Sequence, residues 1–308
     1  MAPRAGSRRG SKGSLRRLTP RQGPGIGSGP IRLCCEEFQA VKSRLFIDHV
    51  SEASFGVGNQ AFEVEVLCCP SPEHPERNED SVGSWLFPDG SLVLAVADGM
   101  GGTPAGSLAS RLAIEQLDET FAAIDKTVSM RSLILDAFEA ANQKVLKLAA
   151  GSGTTLVAVE IVGSTVRTYN VGDSGALLVG QRGRMKIETT DHSPVGYGVA
   201  AGLIDSEAAM AHEDRHFLSN YIGTNAMHIE LGIPRQIDRF DTLLVASDGL
   251  FDNVSPAQTI ETIRCGPLSE RISTLGRGAL AAMQSAVDGD SIGKPDDLTI
   301  VLARRRRV

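Results

Sequence analysis

Along the chain, apolar residues first alternate with polar ones, then recur every three or four positions, then alternate again. Residues 61–69 carry Val64, Val66 and Leu67 in partial alternation and run into a Pro-rich turn at 70–75, which predicts a strand. Apolar runs at 81–87 and 91–97 flank Pro88-Asp89-Gly90, the signature of a hairpin. Over 104–124, Leu108, Leu112, Ile114, Leu117 and Phe121 recur at helical spacing. A second helix over 130–150 gathers Leu133, Ile134, Ala137, Phe138, Ala141, Val145 and Leu148 on one face.

Strands over 154–162, 165–171, 176–181 and 184–189, separated by Gly-rich turns, read as the meander of an antiparallel sheet. Strands over 241–247 and 298–303 enclose helices over 256–263 and 268–287. This order places helices outside packed antiparallel sheets and not in repeating βαβ units, so the class is α+β. The chain shows no internal repeat and no linker after about residue 45.

The 308 residues are 42% hydrophobic, enough core for one large domain or two small ones. The net charge of -6 hides an asymmetry. Arg4, Arg8, Arg9, Lys12, Arg16, Arg17, Arg21 and Arg32 stand in the first 33 residues without an acid, and Arg304 to Arg307 crowd the other end. The expected organisation is a disordered basic tail over 1–44, a domain over 45–303 and a short basic tail over 304–308. Three readings of the first tail stay open: a solvated segment, an organellar targeting sequence, or an arm for nucleic acid or another anionic surface.

No apolar run approaches the length of a membrane span and no apolar stretch follows the basic start, so the expected location is the cytoplasm. Cys34-Cys35, Cys68-Cys69 and Cys265 give neither a disulfide ladder nor a zinc spacing, and read as reduced thiols.

The chemistry lies in five acidic motifs: Arg-Asn-Glu-Asp at 77–80, Ala-Asp-Gly-Met-Gly-Gly at 97–102, Val-Gly-Asp-Ser at 171–174, Ser-Asp-Gly-Leu-Phe-Asp at 247–252 and Pro-Asp-Asp-Leu-Thr at 295–299. Each alone is what a solvated β-turn looks like. Most, however, sit at the ends of β-branched runs, and strand ends distant in sequence converge in space. A common all-oxygen pocket for a hard divalent cation such as Mg²⁺ or Mn²⁺ explains them together. Gly99 lets the backbone approach a bound ion closely, and Arg77 offers a planar fork for two phosphate oxygens.

The order and spelling of these motifs resemble the metal-dependent protein phosphatase family, the protein phosphatase 2C type, over about residues 45–303. Gly-Thr-Thr-Leu at 153–156, Asp-His-Ser at 191–193 and Leu-Val-Ala at 244–246 extend the match, and the compact length looks like the bacterial branch.

The resemblance implies a four-layer α-β-β-α sandwich with a binuclear Mn²⁺ or Mg²⁺ site at one edge. It implies Asp98 as the ligand bridging both ions, the Gly99 carbonyl and Glu79 on one of them, and Asp248 and Asp296 on the other. Asp80 becomes a supporting carboxylate that orients water, and Asp173 and Asp252 match positions that help hold a weaker third ion. The implied reaction is direct attack of a metal-activated water on phosphoserine or phosphothreonine of protein substrates of a serine/threonine kinase, by a monomer.

The chain departs from the family pattern at several points. His74-Pro75-Glu76 stands where the phosphate-binding arginine is usual, leaving Arg77, or His74, for that role. Gly175 replaces a common Arg, Asp297 a common Asn and Thr103 a common His. His192 reads as part of a structural turn, and residues 202–224, with a short helix at 207–210, match the family's flap. Two other readings stay open: a catalytically silent relative that binds phosphoproteins, and a phosphatase of small phosphorylated metabolites on the same fold.

Overall fold

The computed structural model describes residues 40–306 apart from 51–53, 58, 101–103, 124–127, 149–150, 211 and 290–292. The tail readings for residues 1–39, the Cys34-Cys35 pair, Gly101-Gly102, Thr103 and the end of the second expected helix lie outside the described residues.

Strand β1 (Lys42–Phe46) is followed by a short β2 (Phe55–Gly56) and by β3 (Phe62–Cys69). The hairpin β4 (Asp80–Leu86) and β5 (Leu92–Met100) turns at Pro88-Asp89-Gly90. Helices α1 (Pro104–Ala122) and α2 (Met130–Val145) come next, the second capped by Ser129, whose side chain accepts from the Ser132 N–H. Then follow β6 (Gly153–Thr154), β7 (Leu156–Val162), β8 (Thr165–Val171), β9 (Gly175–Val179) and β10 (Met185–Glu188).

The flap region holds α3 (Pro194–Ala200), α4 (Ser206–Ala209) and a 3-10 turn, Glu213–His216. Short β11 (Glu230–Leu231) and β12 (Arg235–Gln236) lead to β13 (Thr242–Ala246), α5 (Asp248–Phe251), α6 (Pro256–Ile263), α7 (Leu268–Val287) and β14 (Leu298–Arg305).

The strands form two antiparallel sheets. The first runs β1-β4-β5-β7-β8-β11, with β12 also on β8 and β6 on β5, and the second runs β10-β9-β13-β14-β3-β2. Because side chains alternate across a strand, each sheet buries both faces. On β5, Val93, Ala95 and Ala97 join Phe121, Phe138 and Ile134 of α1 and α2, while Leu92, Leu94 and Val96 meet the second sheet. On β14, Val301 and Ala303 face the first sheet, and Ile300 and Leu302 pack on Ile272 and Leu275 of α7. Three apolar interfaces therefore separate four layers, the expected α-β-β-α sandwich.

The structure corrects three expectations. The meander is split: β7 and β8 belong to the first sheet, β9 and β10 to the second. The crossing is made at Gly172, whose φ of 112° lies in the region that glycine alone enters freely. The first tail does not extend to residue 44, since β1 pairs with β4 from Lys42 to Phe46. Nor are all of 304–308 a tail: β14 continues through Arg305, and Arg304 Nε donates to Glu63 on β3 at 2.8 Å. A basic residue opposite an acid on a neighbouring strand is a stabilising cross-strand pair.

Among the described residues, no helix is long and apolar enough to cross a membrane. Cys68 and Cys69 are buried and Cys265 is exposed.

Candidate active site

Two carboxylates meet at the edge of the first sheet. Asp80 opens β4 and Asp98 lies near the end of β5, directly opposite each other in the antiparallel register. Like charges opposite one another on a sheet are destabilising, so the pair is retained against its own electrostatics. The backbone around Asp98 is held firmly. Its N–H donates to Thr155 Oγ1 at 3.0 Å, and its carbonyl accepts from the Thr154 hydroxyl at 2.7 Å and the Thr155 N–H at 2.8 Å. A Cβ on Gly99 would come within 2.4 Å of the Gly106 carbonyl oxygen and 2.8 Å of that of Glu79, so only glycine lets these three segments pack.

Just before β4, Glu79 is buried and Arg77 lies 3.6 Å from it. Its N–H, with that of Ser71, is accepted by the Asp297 carboxylate, which thereby ties this loop to the second sheet. His74 is exposed in the turn that precedes Arg77.

The second sheet supplies the other acids. Asp248 is the first residue of α5, directly after β13, and Asp296 stands just before β14. Ser247 is the N-cap of α5 but makes no capping bond; its hydroxyl donates instead to Asp80 Oδ2 at 2.8 Å and accepts from the Thr299 N–H at 3.0 Å. A serine cap is usually worth about 1 kcal/mol, and here that hydroxyl is spent on positioning Asp80.

Lys294, from the loop before β14, reaches among these acids. Its ammonium contacts Asp248 and lies 2.9 Å from Asp296 and 3.5 Å from Asp252. Arg215 of the flap approaches Asp252 at 4.0 Å.

Asp173 sits in the crossing between β8 and β9, and the buried His192 steadies that turn. Gly172 N–H and Asn220 Nδ2 both donate to His192 Nδ1, at 3.1 and 2.9 Å, which leaves Nε2 to donate to Glu230 at 3.0 Å. His192 is thus fully used as a structural bracket.

Glu79, Asp98, Gly99, Asp173, Asp248 and Asp296 line one cavity of about 360 Å³, and Arg77 and His74 line its wall. Asp80 lies beneath it, fully buried. Asp252 opens on an adjoining cavity of about 420 Å³ that shares Asp173 and Asp248 and continues under the flap beside Met210 and Arg215.

Burial, and then the repulsion of Asp80, Asp248, Asp296 and Asp173, holds the Asp98 carboxyl well above the usual carboxylate range. Asp80 and Asp173 are pushed up for the same reasons, burial first and neighbouring acids second. Burial and Asp248 raise Asp252 to about 7 and Asp296 to about 6, against the pull of Lys294. Such a set is short of positive charge, and hard divalent cations prefer an all-oxygen donor set. Asp80 Oδ1 is buried and makes no well-formed hydrogen bond among the described residues.

These residues fit divalent cations in donor chemistry and charge. Among the described residues, however, no three His, Cys, Asp or Glu side chains are already gathered as a ligand cage. The Lys294 ammonium lies among Asp248, Asp252 and Asp296.

Reading the sequence missed Lys294 and Arg215 and took Asp191 as part of a structural turn. Asp191 lines the second cavity with a buried Oδ1 that has no hydrogen-bond partner. A signal for Lys294 stood in Gly293-Lys294-Pro295, a lysine held between two conformationally special residues two positions before an acid.

Residues 74–265, more than half of the chain, match the family model of protein phosphatase 2C. The chain belongs to that family. Its protein phosphatase 2C relatives include the serine/threonine phosphatase stp of Listeria innocua, 32% identical over 241 residues that cover 74% of this chain and 90% of the relative.

Among solved structures, the serine/threonine phosphatase of S. agalactiae superposes with a TM-score of 0.68 at 28% identity, covering 80% of this chain and all of that one. The catalytic domain of the serine/threonine protein phosphatase PstP, in complex with two manganese ions, superposes with a TM-score of 0.65 at 26% identity, covering 80% of this chain and 99% of that one.

Proposed function

We propose that this chain is a divalent-cation-dependent phosphatase of phosphoserine and phosphothreonine on proteins, the substrates of a serine/threonine kinase. The observation that carries the reading is the convergence of Glu79, Asp98, Asp173, Asp248 and Asp296 on one cavity whose wall holds Arg77. Membership in the protein phosphatase 2C family supports it, as does the metal dependence of that family. Asp98 would hold two Mn²⁺ or Mg²⁺ ions, with the Gly99 carbonyl and Glu79 serving one, and Asp248 and Asp296 the other. Asp173 and Asp252 would serve a weaker third.

When bound, such cations neutralise charge on phosphoryl oxygens and acidify water toward neutral pH. The protein's own groups do the rest. Arg77 binds the phosphate, with its guanidinium kept in place by Glu79. Asp80, oriented by the Ser247 hydroxyl and buried beneath the cavity, serves as a supporting carboxylate for the orientation of the attacking water. His74, which lines the same cavity, is the other candidate for contact with the phosphate or the leaving group. The flap, with Leu218 in one cavity and Met210 in the other, contacts the peptide around the phosphorylated residue.

The test is phosphate release from a phosphothreonine peptide, with Mn²⁺ and with EDTA. EDTA should abolish release, and Asp98→Asn should lower it by about 100-fold or more. Asp98→Asn at the unsubstituted rate would overturn the reading, and sugar phosphates turned over in preference to the peptide would reassign the substrate class.

A further inference from the structure

The position of Lys294 is built, not incidental. Asn253, on the turn after α5, clamps its backbone from both sides: Asn253 Oδ1 accepts the Lys294 N–H at 2.9 Å, and Asn253 Nδ2 donates to the Lys294 carbonyl at 2.8 Å. Asn253 Nδ2 also donates to the Gly249 carbonyl at 3.0 Å, so the clamp is part of the same turn that presents Asp248 and Asp252. Pro295 follows and restricts the backbone further. From this fixed root the side chain, about four-fifths buried, delivers its ammonium to Asp248, Asp296 and Asp252.

An ammonium has three donors and a single charge. Among the described residues, Asp248, Asp252 and Asp296 face this ammonium and Arg215 approaches Asp252, so the single charge of Lys294 offsets the repulsion of the carboxylates in part. A divalent cation that takes Asp248 and Asp296 needs the same oxygens that the ammonium holds. Two cations cannot share them at ordinary distances without strong repulsion.

We propose that Lys294 is a tethered internal counter-ion that occupies the Asp248–Asp296 side of the site in the metal-free protein and must be displaced for a divalent cation to bind there. The inference rests on the assignment of these acids as metal ligands made above. Lys294 therefore stabilises the metal-free fold and weakens cation affinity, and both effects come from one contact set. A salt bridge with a purely structural role would stabilise the protein equally with and without metal. A lysine that grips substrate phosphate would change KM and leave metal affinity alone.

Isothermal titration of Mn²⁺ into wild type, Lys294→Met, Lys294→Gln, Lys294→Arg and Asp98→Asn tests this, with thermal unfolding in EDTA and in saturating Mn²⁺ alongside. Lys294→Met should bind Mn²⁺ about tenfold more tightly, unfold several degrees lower in EDTA, and match wild type in saturating Mn²⁺. Lys294→Arg keeps the charge and should bind no more tightly than wild type. Lys294→Gln removes the charge at similar length and gives the same ordering should Lys294→Met not fold.

Unchanged or weaker Mn²⁺ binding by both neutral variants would overturn the proposal while leaving the metal site standing. Absence of Mn²⁺ binding by wild type would overturn the metal assignment and this proposal with it.

Discussion

Asp297 accepts the backbone N–H of Glu79 at 2.5 Å through one carboxylate oxygen, while its other oxygen accepts the N–H of Ser71 at 2.7 Å. Two donors thus converge on one side chain from two points of the loop that carries His74, Arg77 and Glu79. A carboxylate satisfies both, whereas an asparagine, which the family pattern leads one to expect here, would turn its NH₂ toward one of them. The departure from the family spelling has a local reason.

Asp297→Asn should therefore destabilise the protein by about 1–3 kcal/mol, the cost of a buried donor left unsatisfied. Urea unfolding measures it. A stability equal to wild type would show that the loop does not depend on the doubly accepting carboxylate.

Arg77→Ala should raise KM for a phosphothreonine peptide by about tenfold or more, the loss of one charge-assisted phosphate contact. The Mn²⁺ requirement should remain. Steady-state kinetics at saturating Mn²⁺ checks it, and an unchanged KM would move phosphate binding to another group, with His74→Ala the next variant to measure.

Removal of metal should make stability depend on pH in an unusual sense. Burial and neighbouring acids raise Asp296 to about 6 and Asp252 to about 7, above the ordinary value of 3.8. The metal-free folded chain then binds more protons than the unfolded one across this interval, so stability is present below the ordinary carboxylate range and is lost as pH rises through about 6 and about 7. In EDTA the unfolding temperature should fall by several degrees between about pH 5.5 and pH 8, and saturating Mn²⁺ should flatten the slope. A flat profile in EDTA would mean that these carboxyls are not raised.

Trp85, the chain's single tryptophan, is fully buried, and its indole N–H donates to Asp118 at 2.8 Å. Its ring lies against Gly83, where a Cβ would come within 1.9 Å of the indole. Gly83→Ala should cost about 1–3 kcal/mol by overpacking. Trp85 fluorescence during denaturant unfolding reports the change, and an unshifted midpoint would contradict the contact.

The sandwich was legible where one signal dominated. Strand β8 and helices α6 and α7 have the bounds that their periodicity predicts, and at α6 the Ser255-Gln258 capping box marks the start. The split of the expected meander was not legible, because Val-Gly-Asp-Ser spells a tight turn whichever sheet the next strand joins. Nor were the ends of the domain. Lys42 to Phe46 gain their strand from pairing with β4, and Arg304 from Glu63, partners that lie distant along the chain.

At the site, the acids announced themselves as strand-end motifs, yet their grouping into two adjoining cavities depends on the flap. Gly293-Lys294-Pro295 hints at a restricted backbone but says nothing of where the ammonium goes. The Asn253 clamp, which spans 41 residues of sequence, holds the backbone from which the Lys294 ammonium reaches the acids.

The acids come from both layers of the sandwich: Glu79, Asp80 and Asp98 from the first sheet's edge, Asp248 and Asp296 from the second's. With divalent cations between them, as proposed, this rim would act as a removable staple, comparable to the disulfides that close small secreted domains but set by solution conditions. Without it, the repulsion among these acids would be offset only in part by Lys294, and only at this end of the two sheets. Cation concentration would then bear on the cohesion of the sandwich as well as on its chemistry.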